Sequence, residues 1–160
     1  MLTPVASVYR TLRAGRYDDL SASLDVAAMR IAGSVLRLGS YGDPAAIPHD
    51  VWTALLARVA GHTGYTHQWR AFPEYADIVM ASVDSVAERV QAKMLGFRTF
   101  RVAPSVGWTK ERNETLCPAS EQAGKTATCA QCRACGGTSS RARCDVMIPA
   151  HGSGANRVRG

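Results

Sequence analysis

The chain has 160 residues, enough to bury a hydrophobic core, and we predict a single domain over 1–160. Its five cysteines are an odd number and residues 1–20 contain no apolar run of signal-peptide length, which argues against a secreted protein held by disulfides. No stretch is long and apolar enough to span a membrane. The sequence therefore predicts a cytosolic protein with no membrane partner and a net charge of +6.

Helical and extended patterns alternate along residues 20–103, which we predict to form the core. Apolar residues at helical spacing predict helices over about 20–32, 48–60 and 85–95, the third capped by Asp84 or Ser85. Apolar runs predict strands over 35–38, 63–67, 77–83 and 97–102, and a final strand over 145–150 that covers the run Asp145–Pro149. This order predicts an α/β fold whose βαβ units build a small, mostly parallel sheet, either open or shaped like a half-barrel.

The carboxyl ends of parallel strands lie at one edge of a sheet, where ligands usually bind. His67 is a candidate for catalysis or ligand binding, because residues 64–69 concentrate polar and aromatic groups where a strand should end. Asp43 is a second candidate, although its position before Pro44 also fits a turn. The complete predicted polar rim consists of Ser40, Asp43, His67, Trp69, Ser82, Asp84 and Arg101. Arg101 is expected to pair with Asp84 or to reach solvent.

All five cysteines lie in the predicted Cys-rich metal segment, residues 104–144. Cys129, Cys132 and Cys135 form the pattern C-x-x-C-x-x-C, which lets three thiolates converge from one loop onto a single inorganic centre. Bacterial ferredoxins combine this run with a further cysteine that is often followed by proline, and Cys117 is followed by Pro118. The spacing therefore predicts that Cys117, Cys129, Cys132 and Cys135 bind one [4Fe-4S] cluster.

Two points about this metal site stay open at the level of sequence. The fourth ligand could instead be Cys144, which otherwise fits a small buried hydrophobic residue, or His151, which follows the final predicted strand. The bound group could instead be Zn²⁺, since pairs of cysteines separated by two other residues also form structural zinc sites. Beyond the strand, residues 151–160 are predicted to form a flexible basic tail.

Several short motifs resemble those of one protein family. They are L-R-L-G-S-Y-G-D-P (36–44), G-Y-T-H-Q-W (64–69), L-C-P-A-S-E (116–121), K-T-A-T-C-A-Q-C-R-A-C (125–135) and I-P-A-H-G (148–152). Together they resemble a family of small iron–sulfur proteins of bacteriophages and other mobile elements. The resemblance implies a phage origin, the cytosol of a bacterial host, and the four cysteines named above as cluster ligands. It implies no reaction, and Cys144 falls outside its motif.

The positive charge is concentrated in the half of the chain that contains the cysteines. Residues 1–95 hold nine Lys or Arg and nine Asp or Glu, whereas residues 96–160 hold ten and four. These cations could offset the negative charge of a four-thiolate cluster. Alternatively, they could bind the phosphates of a nucleic acid. The residues concerned are Lys125, Arg133, Arg141, Arg143, Arg157 and Arg159.

Three functions follow from these observations. The first is a [4Fe-4S] protein of phage type with a structural, redox or regulatory role. The second is a zinc-stapled module that binds nucleic acid through its basic C-terminal half. The third is a cluster-dependent enzyme that acts on a small molecule at the strand ends, near His67 and Asp43; a shared fold class would not by itself be evidence for such an activity.

Overall fold

The structure is a computed structural model that describes residues 4–151 and Ala155. Its helices are α1 (Pro4–Arg13), α2 (Leu20–Arg30), α3 (His49–Leu56), α4 (Val86–Met94) and α5 (Cys129–Cys132). Its strands are β1 (Val35–Arg37), β2 (Gly61–Thr63), β3 (Tyr65–Thr66), β4 (Met80–Val83), β5 (Thr99–Ala103), β6 (Glu114–Leu116) and β7 (Asp145–Pro149). Within the described ranges, no helix is long and apolar enough to cross a membrane.

The strands form two sheets, and every pairing between described strands is parallel. β1 and β2 form a small two-stranded sheet, and the other five strands form a sheet in the order β3-β4-β5-β7-β6. The prediction of an α/β fold with a mostly parallel sheet is therefore confirmed. The final strand, predicted over 145–150, is observed as β7, which ends one residue earlier at Pro149.

The strand predicted over 63–67 is wrong, because this stretch contains the end of β2 and the whole of β3, which lie in different sheets. Gly64 separates them, and its backbone N–H donates a 2.9 Å hydrogen bond to the carbonyl of Cys135. A Cβ atom at Gly64 would come within 2.9 Å of the Leu38 side chain and 3.0 Å of Val79. Only glycine allows the chain to change sheets in this space.

Other element boundaries differ by a few residues or were not predicted. β4 begins at Met80 rather than at Asp77, because Pro73–Asp77 is a 3₁₀ helix whose first residue is proline. The cap of α4 is Ser85 and not Asp84, since the Ser85 hydroxyl accepts a hydrogen bond from the Glu88 N–H. The sequence did not predict α1, β6 or α5, of which the latter two are only three and four residues long.

The two faces of the five-stranded sheet are covered by different parts of the chain. Helix α4 packs against β4 and β5, and the main hydrophobic core includes Ala81, Val83 and Ala92. Met80 and Val146 belong to a second, smaller core in which they pack with residues of the cysteine segment. The second core consists of Met80, Ala134 and Val146, and it is surrounded by Tyr65, Phe100, Cys117, Cys132, Cys135 and Ala142. A cysteine-rich segment thus covers a sheet surface that a crossover helix covers in most parallel sheets.

A buried network of charges joins α4 to three neighbouring strands. Arg101 on β5 makes a two-pronged contact with Glu114 on β6, at 2.8 and 2.7 Å. Arg89 on α4 donates a 2.7 Å hydrogen bond to Asp145 on β7, whose carboxylate is completely buried. Lys93 lies 3.0 Å from the same carboxylate. Arg101 therefore pairs with Glu114, and the prediction that it pairs with Asp84 or reaches solvent is wrong.

This network predicts a loss of stability in acid. Burial by itself raises the pKa of Glu114, but hydrogen bonds from Arg101 and the Glu111 N–H, with the charges of Arg101 and Arg89, hold that pKa below its usual value. A carboxylate whose pKa is lower in the folded chain stabilises the fold above its unfolded pKa and loses this contribution as the pH falls through the folded pKa. We therefore expect the urea concentration at the unfolding midpoint to decrease as the pH is lowered from about 7 to about 3.

The variant Glu114→Gln separates this contribution from that of other acidic groups. Urea titrations of the variant should give a lower midpoint at neutral pH and a flatter decline in acid than the parent chain. Glu121→Gln is the matched control, because Glu121 is exposed and pairs with Lys125 at the surface. An acid decline equally steep in Glu114→Gln and in the parent would contradict the prediction.

Candidate metal centre

Cys117 is positioned by the edge of the five-stranded sheet. It follows β6 directly, and its backbone N–H donates a 2.8 Å hydrogen bond to the carbonyl of Met147 on β7. Its own carbonyl accepts hydrogen bonds from both the backbone N–H and the hydroxyl of Ser120, at 2.9 and 2.7 Å. These contacts continue the β6–β7 pairing by one residue and fix the thiol beside the sheet.

The cysteine triplet begins on the short helix α5. Thr128 caps this helix in a capping box with Gln131, in which each side chain bonds the backbone of the other residue. Arg133 ends the helix in the left-handed conformation, with φ of 51°. Its guanidinium donates to the carbonyl of Ala60 at 2.7 Å, which ties the turn to the chain just before β2. The turn at Arg133 directs Cys135 back toward the sheet.

Four cysteines line one small, largely apolar pocket between this loop and the sheet. They are Cys117, Cys129, Cys132 and Cys135, accompanied by Thr63, Pro118, Ala119, Arg133, Ala134 and Val146. Cys144 does not line this pocket, and all five cysteines are free thiols. Within residues 4–151, no group of three or more His, Cys, Asp or Glu side chains is arranged so that it could hold a metal ion. Ligation would therefore require these thiols to rotate toward one another.

The environment of Cys117 and Cys135 favours the neutral thiol. Burial raises the pKa of Cys135 to about 12, and the neighbouring thiolates of Cys117, Cys132 and Cys129 contribute to this shift. Burial likewise raises the pKa of Cys117, with further contributions from Cys129 and Cys132. The pocket cannot hold several thiolates without positive charge to compensate them.

One such positive charge is Arg98, which clamps the cysteine segment to the sheet. This buried guanidinium donates to the carbonyls of Ala134 and Gly137 at 2.8 and 2.9 Å, and also to the carbonyl of Cys144. Its Nε atom is buried and has no hydrogen-bond partner among the described residues. No carboxylate in the described chain pairs with it, and its charge opposes the rise in the pKa of Cys135. Sequence reasoning missed Arg98, since its three acceptors lie at least 36 residues away.

Gly137 lies directly against the backbone of Asp77, which is outside the cysteine segment. Its φ is +66°, and a Cβ atom there would lie 2.5 Å from the carbonyl oxygen of Asp77. We expect Gly137→Ala to lower the free energy of unfolding by about 2 kcal/mol or more, since backbone strain and a backbone clash act together. Urea denaturation measures the effect.

Gly124→Ala is the matched control, because Gly124 has a similar φ of +71° but nothing within 4 Å of the added Cβ. This control should cost only about 1 kcal/mol, the strain of the left-handed backbone alone. Equal losses in the two variants would show that the segment does not dock on Asp77 as described.

Only some side chains of the predicted polar rim are free to contact a ligand. The Asp43 carboxylate accepts hydrogen bonds from the Ala45 N–H, the Thr66 hydroxyl and the His67 N–H, at 3.0, 2.6 and 2.8 Å. Asp43 thus holds together a turn and the end of β3, as the turn interpretation of Asp43–Pro44 predicts. Trp69 is 1% exposed and donates its indole N–H to the carbonyl of Ser82, so it is a core residue.

His67 and His151 remain accessible at the strand ends. Both are exposed, and neither imidazole has a hydrogen-bond partner in the part of the chain that the structure describes. They border a larger cavity beside the cysteines, but neither lines the small four-cysteine pocket. His151 shares this larger cavity with Cys117, Cys129 and Cys135, so its role as an alternative fourth ligand stays a prediction.

Some of the basic residues predicted to bind nucleic acid are engaged in contacts within the chain. Lys125 pairs with Glu121 at 3.1 Å, and Arg133 donates to the carbonyls of Ala130 and Ala60. Arg141 and Arg143 are exposed. Arg157 and Arg159, with most of the predicted tail, lie outside the described residues.

No protein-family model, curated protein or solved structure matches this chain.

Proposed function

We propose that this protein binds one [4Fe-4S] cluster through Cys117, Cys129, Cys132 and Cys135. The observation that carries the proposal is the common pocket of these four thiols, which come from two segments more than ten residues apart. A four-thiolate set is the usual ligand set of a cubane cluster. Cys144 lies outside the pocket and is left free by this assignment.

The charge balance around the pocket supports an anionic bound group. Cys135 and Cys117 have raised pKa values in the metal-free chain, so the thiols alone do not favour the ionised state. Iron would stabilise the thiolates, and Arg98 would supply a buried positive charge that no described carboxylate neutralises. A cluster with four cysteine ligands carries a net negative charge that suits this environment.

The role we propose for the cluster is structural and redox-linked. The cysteine segment covers one face of the sheet with only a small apolar core beneath it, so ligation would add a strong link between Cys117 on the sheet edge and the α5 loop. Binding free energy of this kind contributes directly to folding. When bound, a [4Fe-4S] group can also gain or lose one electron, which would allow the protein to respond to redox state.

The proposal includes the setting that the sequence motifs imply. A cluster of this kind requires reduced thiols, as in the cytosol of a bacterial host, and all five cysteines are free in the structure. The resemblance to phage and mobile-element proteins, based on 116–121 and 125–135, is consistent with that setting.

The test is the metal content of protein purified without oxygen. We expect about four iron and about four acid-labile sulfide per chain, with a broad absorbance band in the visible range that bleaches on reduction with dithionite. About one zinc per chain, with no iron or sulfide, would contradict the proposal and support the zinc-stapled module. In that case DNA binding with a steep salt dependence would become the expectation to test.

A further inference from the structure

A second cavity, of about 500 Å³, lies beside the cysteine pocket. Its floor is one face of the five-stranded sheet, because Ser82 stands opposite Phe100, and Val102 stands opposite Ile148, in the strand pairing. Its wall includes Cys117, Cys129 and Cys135. The cavity is also lined by His67 and His151, at the strand ends. Its volume falls in the range of about 300–1,000 Å³ that is usual for small-molecule sites.

Two aromatic rings line the cavity. Tyr65 and Phe100 stack with their ring centroids 4.9 Å apart and their planes at 19°. Val102 and Ile148 continue this surface along β5 and β7. Each ring covers one face of the other, so a planar molecule would pack against the remaining faces or the edges of the pair.

Arg37 gives the cavity a positive charge. Arg37 lines it, and its guanidinium lies 5.7 Å from the centre of the Tyr65 ring while donating a 2.8 Å hydrogen bond to the Tyr65 hydroxyl. The other N–H donors of Arg37 have no partner among the described residues, and a guanidinium has five. No aspartate or glutamate belongs to the described lining. Arg37 is therefore held in place but still able to bind a carboxylate or phosphate.

We propose that this cavity binds a small organic anion with a flat, apolar body, which stacks near Tyr65 and Phe100 and pairs its carboxylate or phosphate with Arg37. His67 and His151 are placed to donate further hydrogen bonds to the anion. The site adjoins the four-cysteine pocket and shares Cys117, Cys129 and Cys135 with it. The contacts that we assign to the ligand come from residues outside that pocket. It differs from the catalytic site predicted from sequence, because Asp43 takes no part in it.

Two pairs of probes test the charge requirement by isothermal titration calorimetry on the protein as purified without oxygen. The first pair is 2-naphthoate and its neutral counterpart 2-naphthamide, which test a carboxylate. The second pair is adenosine 5′-monophosphate and adenosine, which test a phosphate on a larger flat body. We expect at least one anion to bind about tenfold more tightly than its neutral counterpart, the gain typical of a charge-assisted contact.

Variants then connect the binding to the residues. Arg37→Met should weaken the anion about tenfold and leave the neutral probe unchanged, while Arg37→Lys should keep part of the preference. Phe100→Leu should weaken both members of the pair, since it removes a stacking surface. Arg58→Met is the matched control, because Arg58 is an exposed arginine that does not line the cavity, and it should bind as the parent does.

The iron content, the sulfide content and the thermal unfolding of every sample are measured as well. These measurements distinguish a variant that has lost the cluster or its fold from one that has lost ligand binding alone. Failure of both anions to bind at millimolar concentration would overturn the inference. Unchanged anion affinity in folded Arg37→Met would do so as well. Binding that shows the expected dependence on Arg37 in protein without iron would support the cavity and contradict the cluster.

Discussion

Replacing Cys117 by serine is expected to lower the iron content from about four to fewer than about one per chain. Cys117 is the one cysteine of the pocket that comes from the sheet edge, where its N–H bonds to the Met147 carbonyl. The other three lie on a single loop, so without Cys117 one iron of the cluster would lack its thiolate ligand. A serine hydroxyl is a poor ligand for iron at neutral pH, so the remaining cluster should be incomplete or lost. Iron and acid-labile sulfide assays on anaerobic protein measure the effect.

Cys144→Ser is the matched control for this experiment. Cys144 is half-buried, as Cys117 is, but it does not line the four-cysteine pocket. We expect this variant to keep its full iron and sulfide content, and we expect the same of His151→Ala. Loss of iron in Cys144→Ser with retention in Cys117→Ser would show that the ligand set is wrong. Loss in His151→Ala alone would assign the fourth position to the imidazole.

Replacing Arg98 by methionine is expected to lower the free energy of unfolding by about 4 kcal/mol. The guanidinium donates to three carbonyls of the cysteine segment. Methionine would remove this donor from the carbonyls of Ala134 and Cys144, whereas the Gly137 carbonyl keeps the Ser140 N–H. Hydrogen bonds from charged donors contribute about 1.5–3 kcal/mol each, and losses within one network are not additive. Urea titration at constant metal content measures the change.

Arg141→Met controls for the loss of an arginine from the same segment. Arg141 is exposed, so its replacement should change stability by less than about 0.5 kcal/mol. Arg98→Lys should recover only part of the loss, because an ammonium group cannot reach all three carbonyls in the geometry of a guanidinium. Equal stability of Arg98→Met and the parent would refute the clamp. We further expect the metal content of Arg98→Met to fall, since the loop that carries Cys135 would no longer be fixed to β5.

Much of the architecture could be predicted from local patterns. Alternating helical and extended segments predicted the α/β class and the parallel sheet, because the periodicity of apolar residues reflects which side of an element is buried. The apolar run Asp145–Pro149 gave the bounds of β7, since this strand is almost completely buried. Local patterns failed where short elements depend on distant partners. Glu114–Leu116 carries no strand pattern of its own, and it becomes a strand because it pairs with β7.

The candidate site, too, could be predicted only in part from the sequence. The spacing of Cys129, Cys132 and Cys135, with Cys117 before proline, identifies a set of thiols from the sequence alone, and the structure brings these four to one pocket. The sequence could not predict that the cysteine segment lies on a face of the sheet as well as near its edge. That placement depends on Arg98, whose acceptors are 36 to 46 residues away in the chain.

The sequence by itself determined the α/β class, the charge concentrated in residues 96–160 and the thiols available for a metal group. Each of these is a property of composition or of spacing within a short segment. Only the tertiary structure decided that Arg101 is buried with Glu114, that Asp43 is used by a turn, and that Arg37 borders a cavity floored by Phe100. These outcomes depend on contacts between residues that are distant in the chain, where the cost of burying a charge or an unpaired polar group selects the partner.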